Sequence, residues 1–397
     1  MRPDPRSLER LAVAALLGLV GVLVWLYGAI DYANESGTDL QWYRPMAQAA
    51  PGLDLTMRTP FVYRPLGPWM AGLWPGPDPA GFYVGTVLTA LALAVLLYAL
   101  LRGDGIRPGF ALLAGFGFFA SPYVFGVLVY NYFHLADLLA FVWIVAGLLL
   151  LYRRRWLGLA LVLALGALTR EVCLLLIPAA FVHLWEQNRL RADGRRLALA
   201  VVPALVVAFG YRWLAEPGPG GLSIVASLLE EGPKVARPDT WVRLLVIAWA
   251  PLSLWPLVFP KQTRAFVRAH PHRAVFALLV LASVFVGYDQ ERLFAPAFVF
   301  VAPLLGALVQ HALRSRRAWP WALALACTMV LNVPSHLAAR FPLPSRGWTI
   351  VLTLTAVGLA TLIALVLRFT APPVPRSSVS HADAPDGAGQ GIEGKPA

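Results

Sequence analysis

Charged side chains are scarce in this sequence. Only 14% of its 397 residues are Asp, Glu, Lys or Arg, while 58% are hydrophobic. An ordinary soluble domain carries about a quarter charged residues, so this chain lacks the charge to cover a soluble surface of its size. Cysteine is nearly absent as well. Cys173 and Cys327 stand alone within apolar runs, which excludes a disulfide framework and a Cys-x-x-Cys metal site. The HExxH, GxSxG, Walker, GxGxxG and deaminase patterns are all missing. ATP-driven and soluble-cofactor chemistry therefore has no support in the sequence.

What the chain has in plenty is apolar length. Several runs approach or exceed the ~18–20 residues that span a bilayer. The expected fold class is an all-α polytopic membrane protein. The net charge of +12 then reads as the Lys/Arg excess of cytoplasmic loops, and no nucleic-acid partner is expected. Arg far outnumbers Lys, a bias of GC-rich bacterial genomes that says nothing about function. The first apolar run follows "MRPDPRSLER". It is too long for a signal-peptide core and has no small-x-small cleavage site, so it reads as a retained helix.

Run lengths place helices over 11–30, 82–101, 109–130, 136–152, 156–169, 172–185, 197–214, 241–259, 274–287, 293–311, 319–337 and 348–368. That is about 12 transmembrane helices, with both termini cytoplasmic. Two of the pairs are short broken-helix hairpins. Residues 156–185 as one helix would be about 45 Å long, against a ~30 Å hydrocarbon core. Charge decides the matter. "RRR" at 153–155 precedes this segment and "NRLRADGRR" at 188–196 follows it. Two crossings put both basic loops on the cytoplasmic side, as the positive-inside rule prefers. The same reasoning divides 274–311 at "YDQER", residues 288–292, between "HPHR" and "RSRR". The membrane domain then spans 1–370, with a first external loop at 31–81. The Pro/Gly/Ser/Ala-rich stretch 371–397 is expected to be a disordered cytoplasmic tail. "LSIVASLLEE", 222–231, fits a short interfacial helix.

With this topology the remaining polar clusters fall on the extracytoplasmic face. The first loop carries Asp31, Asp39, Tyr43 and Arg64. "YNYFHLAD" supplies His134 and Asp137, "ALTREV" supplies Arg170 and Glu171, and "YDQER" supplies Asp289, Glu291 and Arg292. His270, His272 and His311 fall on the cytoplasmic side, away from this convergence. A transport path would spread polar groups through the membrane depth. Convergence on one face points to a reaction site.

Each motif has a functional and a structural reading. Asp39 and Tyr43, four apart, share a face if "DLQWY" is helical. Asp39 then serves as a general base or metal ligand, or only as a helix N-cap. Arg64 in "FVYRPLGPW" suits bidentate phosphate binding, or anchors an aromatic interface with Tyr63, Trp69 and Trp74. Arg170 and Glu171 are adjacent, so they point about 100° apart on a helix and each needs another partner. Those partners are a phosphate and a sugar hydroxyl, or an ion-pair network holding the hairpin. His134 and Asp137 at i, i+3 share a metal or a hydrogen bond. Arg292 suits a phosphate, with Asp289 and Glu291 beside it solvated or engaged.

These motifs together resemble the GT-C superfamily of multi-spanning glycosyltransferases. The resemblance rests on "DLQWY", "YRPLGPW", "ALTREVCLLLIPA" after an "RRR" loop, and "DQERLFAPAFVFVAPLL". It implies transfer of a sugar from a polyprenyl-phosphate carrier to a lipid or glycan acceptor, with inversion at the anomeric carbon, as in a hexosyltransferase of the bacterial inner (plasma) membrane. It further implies Asp39 as the base that deprotonates the acceptor hydroxyl, with Asp31 as rival. Arg64, Arg170 or Arg292 would meet the departing phosphate. The family often has an acidic pair in the first loop, whereas here Leu40 follows Asp39. No cofactor is identified, and a divalent metal stays open. The competing readings are an envelope glycan polymerase or ligase and a lipid-linked-sugar flippase or transporter. The first places its key residues in long later loops, and the second needs charges at mid-depth.

Overall fold

The computed structural model describes residues 4–30, 38–76, 79–215, 224–287, 289–314 and 318–370. Asp31, Tyr288 and the tail expected at 371–397 lie outside the described residues. Among the described residues the chain forms helices and no strand; Ser335 and Pro342 make an isolated bridge.

In chain order the helices are α1 (Pro5–Tyr27), α2 (Leu40–Gln48), α3 (Leu66–Gly72), α4 (Ala80–Gly103), α5 (Pro108–Phe119), α6 (Val127–Tyr130) and α7 (Leu135–Tyr152). They continue with α8 (Trp156–Thr169), α9 (Leu176–Glu186), α10 (Leu190–Leu214), α11 (Ile224–Val235), α12 (Pro238–Val242) and α13 (Trp255–Val258). The last are α14 (Pro260–Ala269), α15 (Pro271–Ser283), α16 (Gln290–Phe294), α17 (Phe298–Ala312), α18 (Ala318–Asn332) and α19 (Arg346–Thr370). Six helical stretches are long and apolar enough to cross a membrane, or up to 8 if each of two bent pairs is one span. The chain is a helical multi-pass membrane protein. Twelve full crossings are not present as twelve separate long helices.

The main departure is 241–259, expected as one helix. Here α12 runs into a π-helical turn at Arg243–Ile247, the chain then leaves helical geometry, and α13 resumes at Trp255. Broken backbone inside a membrane protein persists only where protein satisfies its freed groups. Ser121 Oγ donates to the Ala248 carbonyl at 2.8 Å and Asn332 Nδ2 to that of Ala250 at 3.3 Å, while Trp255 Nε1 ties the resumed helix to the Ala360 carbonyl of α19 at 3.1 Å. A second departure is α14, an amphipathic helix with a basic face that joins α15 at a 98° bend. The stretch expected as an interfacial helix at 222–231 contributes to α11, and Glu231 on it is buried.

The bundle has two polar ends. At one lie the basic loops: Glu9 near the start of α1 accepts from Arg102 at the close of α4, and Arg273 at the start of α15 donates twice to Asp104, each at 2.6 Å. At the other, Gly28 turns the chain out of α1 with φ +67°, a conformation that favours glycine, and the Ile30 N–H donates to the Tyr130 carbonyl. Between the two ends a continuous apolar core joins α1, α4, α5, α7 and α17, with Phe118, Phe141 and Phe298 packed ring against ring.

The α8–α9 hairpin forms as the charge argument expects. Both helices are short, and a 3-10 turn, Glu171–Leu175, joins them. Gly166 permits the close approach, since a Cβ there would lie 2.7 Å from the Cys173 Cβ. Trp143 of α7 donates through Nε1 to Thr169 Oγ1 at 3.0 Å, tying the hairpin tip to α7.

Candidate functional site

The end of the bundle opposite the basic loops gathers side chains from α2, α7, α16, the α8–α9 hairpin and the segment between α2 and α3. The base of the site comes from α2. Leu40, Tyr43, Met46 and Ala47 form one buried face, which packs on Phe82, Tyr132, Phe133, Leu135 and Leu139. Phe61 stacks parallel to Trp42 at 6.0 Å and meets Tyr43 edge-on at 5.3 Å. This packing fixes the start of α2, where Asp39 stands.

Asp39 occupies the N-cap position but its side chain makes no cap hydrogen bond. It is spent elsewhere. Arg292 Nη1 donates to Asp39 Oδ2 at 2.7 Å, and His134 Nε2 lies 3.4 Å from the same oxygen. Arg292 Nη1 is also 2.5 Å from His134 Nε2. One imidazole nitrogen thus faces a cation that only donates and a carboxylate that only accepts. It serves one at a time, according to its tautomer. Asp39 is the partly open member of the trio, with its side chain 23% exposed. Burial alone would raise its pKa, but hydrogen bonding with His134 and the charge of Arg292 more than offset that, and the carboxyl sits well below its usual range.

Arg292 is surrounded by acids. Its Nε lies 3.7 Å from Asp289 and 3.8 Å from Asp137, and Asp289 also caps α16 by accepting from the Arg292 backbone N–H. Beneath it, Arg170 pairs with Asp137, both side chains about 5% exposed or less. The extended backbone of Arg170, φ −165° and ψ 139°, sends it and Glu171 to different partners. Glu171 faces the rim, where Arg64 donates from Nε at 3.2 Å and Arg212 from Nη2 at 3.3 Å. Tyr43 is buried close enough to Arg64, Asp39 and Arg292 to feel all three charges. Burial raises its pKa, and the two arginines oppose that rise only in part.

The structure therefore brings Asp39, Tyr43, Arg64, His134, Asp137, Arg170, Glu171, Asp289 and Arg292 into one connected cluster. His134 and Asp137, read as a candidate pair, contact Asp39 and Arg170 instead of each other. Glu291 points aside to Arg243 at 3.1 Å. Asp31 lies outside the described residues. Sequence reasoning missed Arg212, whose guanidinium also covers the Tyr63 ring at 5.1 Å. The signal was available: Arg212 lies in the last turn of α10, far from the basic loops where arginines of a membrane protein normally collect.

Asp39, Asp137 and Asp289 all turn towards Arg292, and Asp137 also pairs with Arg170, so these carboxylates are engaged by guanidinium groups. Among the described residues no three His, Cys, Asp or Glu side chains at this end bring ligand atoms together. The arrangement is suited to anion binding. Arg64, Arg212 and Arg292 reach this end of the bundle beside three partly exposed carboxylates, Asp39, Glu171 and Asp289, with Arg170 buried beneath them.

No protein-family model matches the chain, and no curated protein matches its sequence. Solved structures do. ArnT from Cupriavidus metallidurans, bound to undecaprenyl phosphate, aligns over 90% of this chain and 70% of that chain, with TM-score 0.53 and 17% identity. The apo form of the same protein aligns over 90% and 76%, with TM-score 0.51 and 15% identity. At this level of identity the likeness shows the fold alone, an ArnT-like helical membrane fold.

Proposed function

We propose that this protein is a membrane glycosyltransferase that takes a sugar from a polyprenyl-phosphate carrier and passes it to a lipid or glycan hydroxyl. The observation that carries the reading is the Asp39–Arg292 pair at 2.7 Å, a part-buried carboxylate held against a guanidinium of the kind that binds phosphate. The ArnT fold, seen with undecaprenyl phosphate, supports the class of donor.

The chemistry follows from the residues. The arriving phosphate competes with Asp39 for the Arg292 guanidinium, which binds phosphate well in a bidentate fork. Arg64 and Arg212 stand on the same rim and add charge. Losing its ion pair frees Asp39 and raises its basicity, so the donor itself switches on the base. Asp39 then takes the proton of the acceptor hydroxyl as that oxygen attacks the anomeric carbon. The bond from that carbon to the phosphate oxygen breaks, its electron pair leaves with the polyprenyl phosphate, and the arginines hold the developing charge. Attack from the face opposite the leaving phosphate inverts the centre. Arg170 is a positioning residue, holding Asp137 and the hairpin tip under Arg292. The collection of basic loops at the opposite end supports an extracytoplasmic position for this end by the positive-inside rule, in what we read as a bacterial inner membrane.

The test is label transfer in membranes from cells expressing the wild type, with a panel of labelled polyprenyl-phosphate sugars and the envelope lipid and glycan pool as acceptor. Transfer above the level of membranes lacking the protein supports the reading. Absence of transfer from every donor, with the acceptor pool shown competent by another transferase, removes it.

A further inference from the structure

The opposite end of the bundle holds a second cluster that the transferase reading does not use. His183 and Glu186 are three apart on the last turn of α9, hence on one face. His272 is the second residue of α15, and its ring lies 4.6 Å from that of His183, centroid to centroid. One ring nitrogen from each histidine and a carboxylate oxygen of Glu186 all lie within 4.8 Å of one another.

We propose that His183, Glu186 and His272 bind a divalent transition metal, best matched by Zn²⁺, which clamps the hairpin helix α9 to α15. The spacing is that of ligands. His272 Nδ1 and Glu186 Oε2 are 3.3 Å apart, long for a charge-assisted hydrogen bond. Two donors at ~2.1 Å from one tetrahedral Zn²⁺ are separated by about 3.4 Å. His183 Nδ1 is buried and has no hydrogen-bond partner, while its Nε2 meets the Gln187 amide at 3.1 Å. An orphaned buried nitrogen on a ring facing two other donors is what an incoming cation would satisfy.

The surroundings support the ligands as outer partners do in metal sites. His272 Nε2 lies 2.8 Å from the Tyr152 hydroxyl, which accepts from Arg273 Nε at 2.7 Å. This leaves His272 Nδ1 directed at Glu186. Arg273, a neighbouring cation, is paired with Asp104 through two hydrogen bonds. Two imidazoles and one carboxylate select Zn²⁺ or a neighbour in the series over Mg²⁺ and Ca²⁺, which prefer all-oxygen sites. Three protein ligands leave a fourth position for water. The metal holds the base of the hairpin whose tip carries Arg170 and Glu171.

The test uses the purified full chain, stripped with a chelator and titrated with Co²⁺, whose visible ligand-field bands report four-coordinate N/O sites. Zn²⁺ is then added in competition. The proposal expects one Co²⁺ per chain with such bands, displacement by one Zn²⁺, and a raised unfolding midpoint on Zn²⁺ loading. His183→Gln and Glu186→Gln should each weaken binding beyond the ~10–100-fold that outer-shell changes cost. Glu186 is exposed at the helix end, so its variant keeps the test valid if the buried histidine variant folds poorly. Asp39→Asn should leave the bands unchanged. Absence of stoichiometric uptake by the wild type overturns the site. So do bands that survive Glu186→Gln, and bands lost in Asp39→Asn, which would place the metal at the other end. None of these readouts depends on sugar transfer.

Discussion

Arg292 donates from Nη1 to Asp39 Oδ2 at 2.7 Å across 253 residues of sequence. The bond joins the first polar segment after α1 to the break ahead of α17, and His134 at the start of α7 touches both partners. A carboxylate held in this way is ionised but weakly basic. In the proposed reaction, a donor phosphate that claims Arg292 would remove that restraint when the base is needed.

The pH dependence follows with a definite sign. The folded-state pKa of Asp39 is depressed, so the stability it contributes is present above the ordinary carboxylate pKa and is lost only as pH falls through the lower folded value. In the wild type, Asp39 produces no acid limb in donor binding across the usual assay range. Arg292→Gln should move the Asp39 titration upward, towards ~3.9. Acid titration of the free enzyme, followed by carboxylate infrared bands with Asp39→Asn as the blank, checks the shift. An unchanged Asp39 titration in Arg292→Gln would contradict the ion pair.

Arg170→Ala should destabilise the fold more than it alters donor affinity. Its loss leaves the buried Asp137 with only the more distant Arg292 guanidinium, Nε at 3.8 Å, and breaking a buried pair costs up to about 3–5 kcal/mol. Arg170→Met combined with Asp137→Leu removes both charges and should recover most of that loss. Detergent-solution thermal unfolding of the three proteins checks it. Equal midpoints for wild type and Arg170→Ala would show the pair to be structurally unimportant.

Arg212→Ala should raise KM for the lipid-linked donor about 10- to 100-fold, the ~1.5–3 kcal/mol of a charged hydrogen bond, with a smaller effect on kcat. Initial rates at varied donor concentration separate the two. A loss confined to kcat would place Arg212 on the transition state instead of the bound phosphate.

Gly166→Val should loosen the hairpin tip. The added side chain meets Cys173, and overpacking of this kind costs about 1–3 kcal/mol. Faster amide hydrogen exchange in 170–175 than in the wild type is the expected signature, and unchanged exchange would show that the tip tolerates the volume.

How much of this was readable in advance differs from one element to another. The α8–α9 hairpin follows from sequence because its flanking basic loops and its length leave one consistent threading. The convergence of Asp39, Arg170 and Arg292 follows from the same rule. The break at 243–254 does not follow. Its apolar composition matches a helix, and the groups that satisfy its freed carbonyls, Ser121 and Asn332, belong to other elements. Depth was equally hidden. Nothing local distinguishes Arg64 on the rim from Arg170, sealed against Asp137. Glu186 and His272 sit on different elements, so their meeting with His183 shows only once α9 and α15 pack.

The most direct test of the account is single-turnover transfer by purified Asp39→Asn after its load of donor has been measured by native mass spectrometry. The account predicts donor binding like the wild type, with transfer slowed at least ~100-fold, the scale of general-base catalysis. Transfer at the wild-type rate from a fully loaded Asp39→Asn would contradict it.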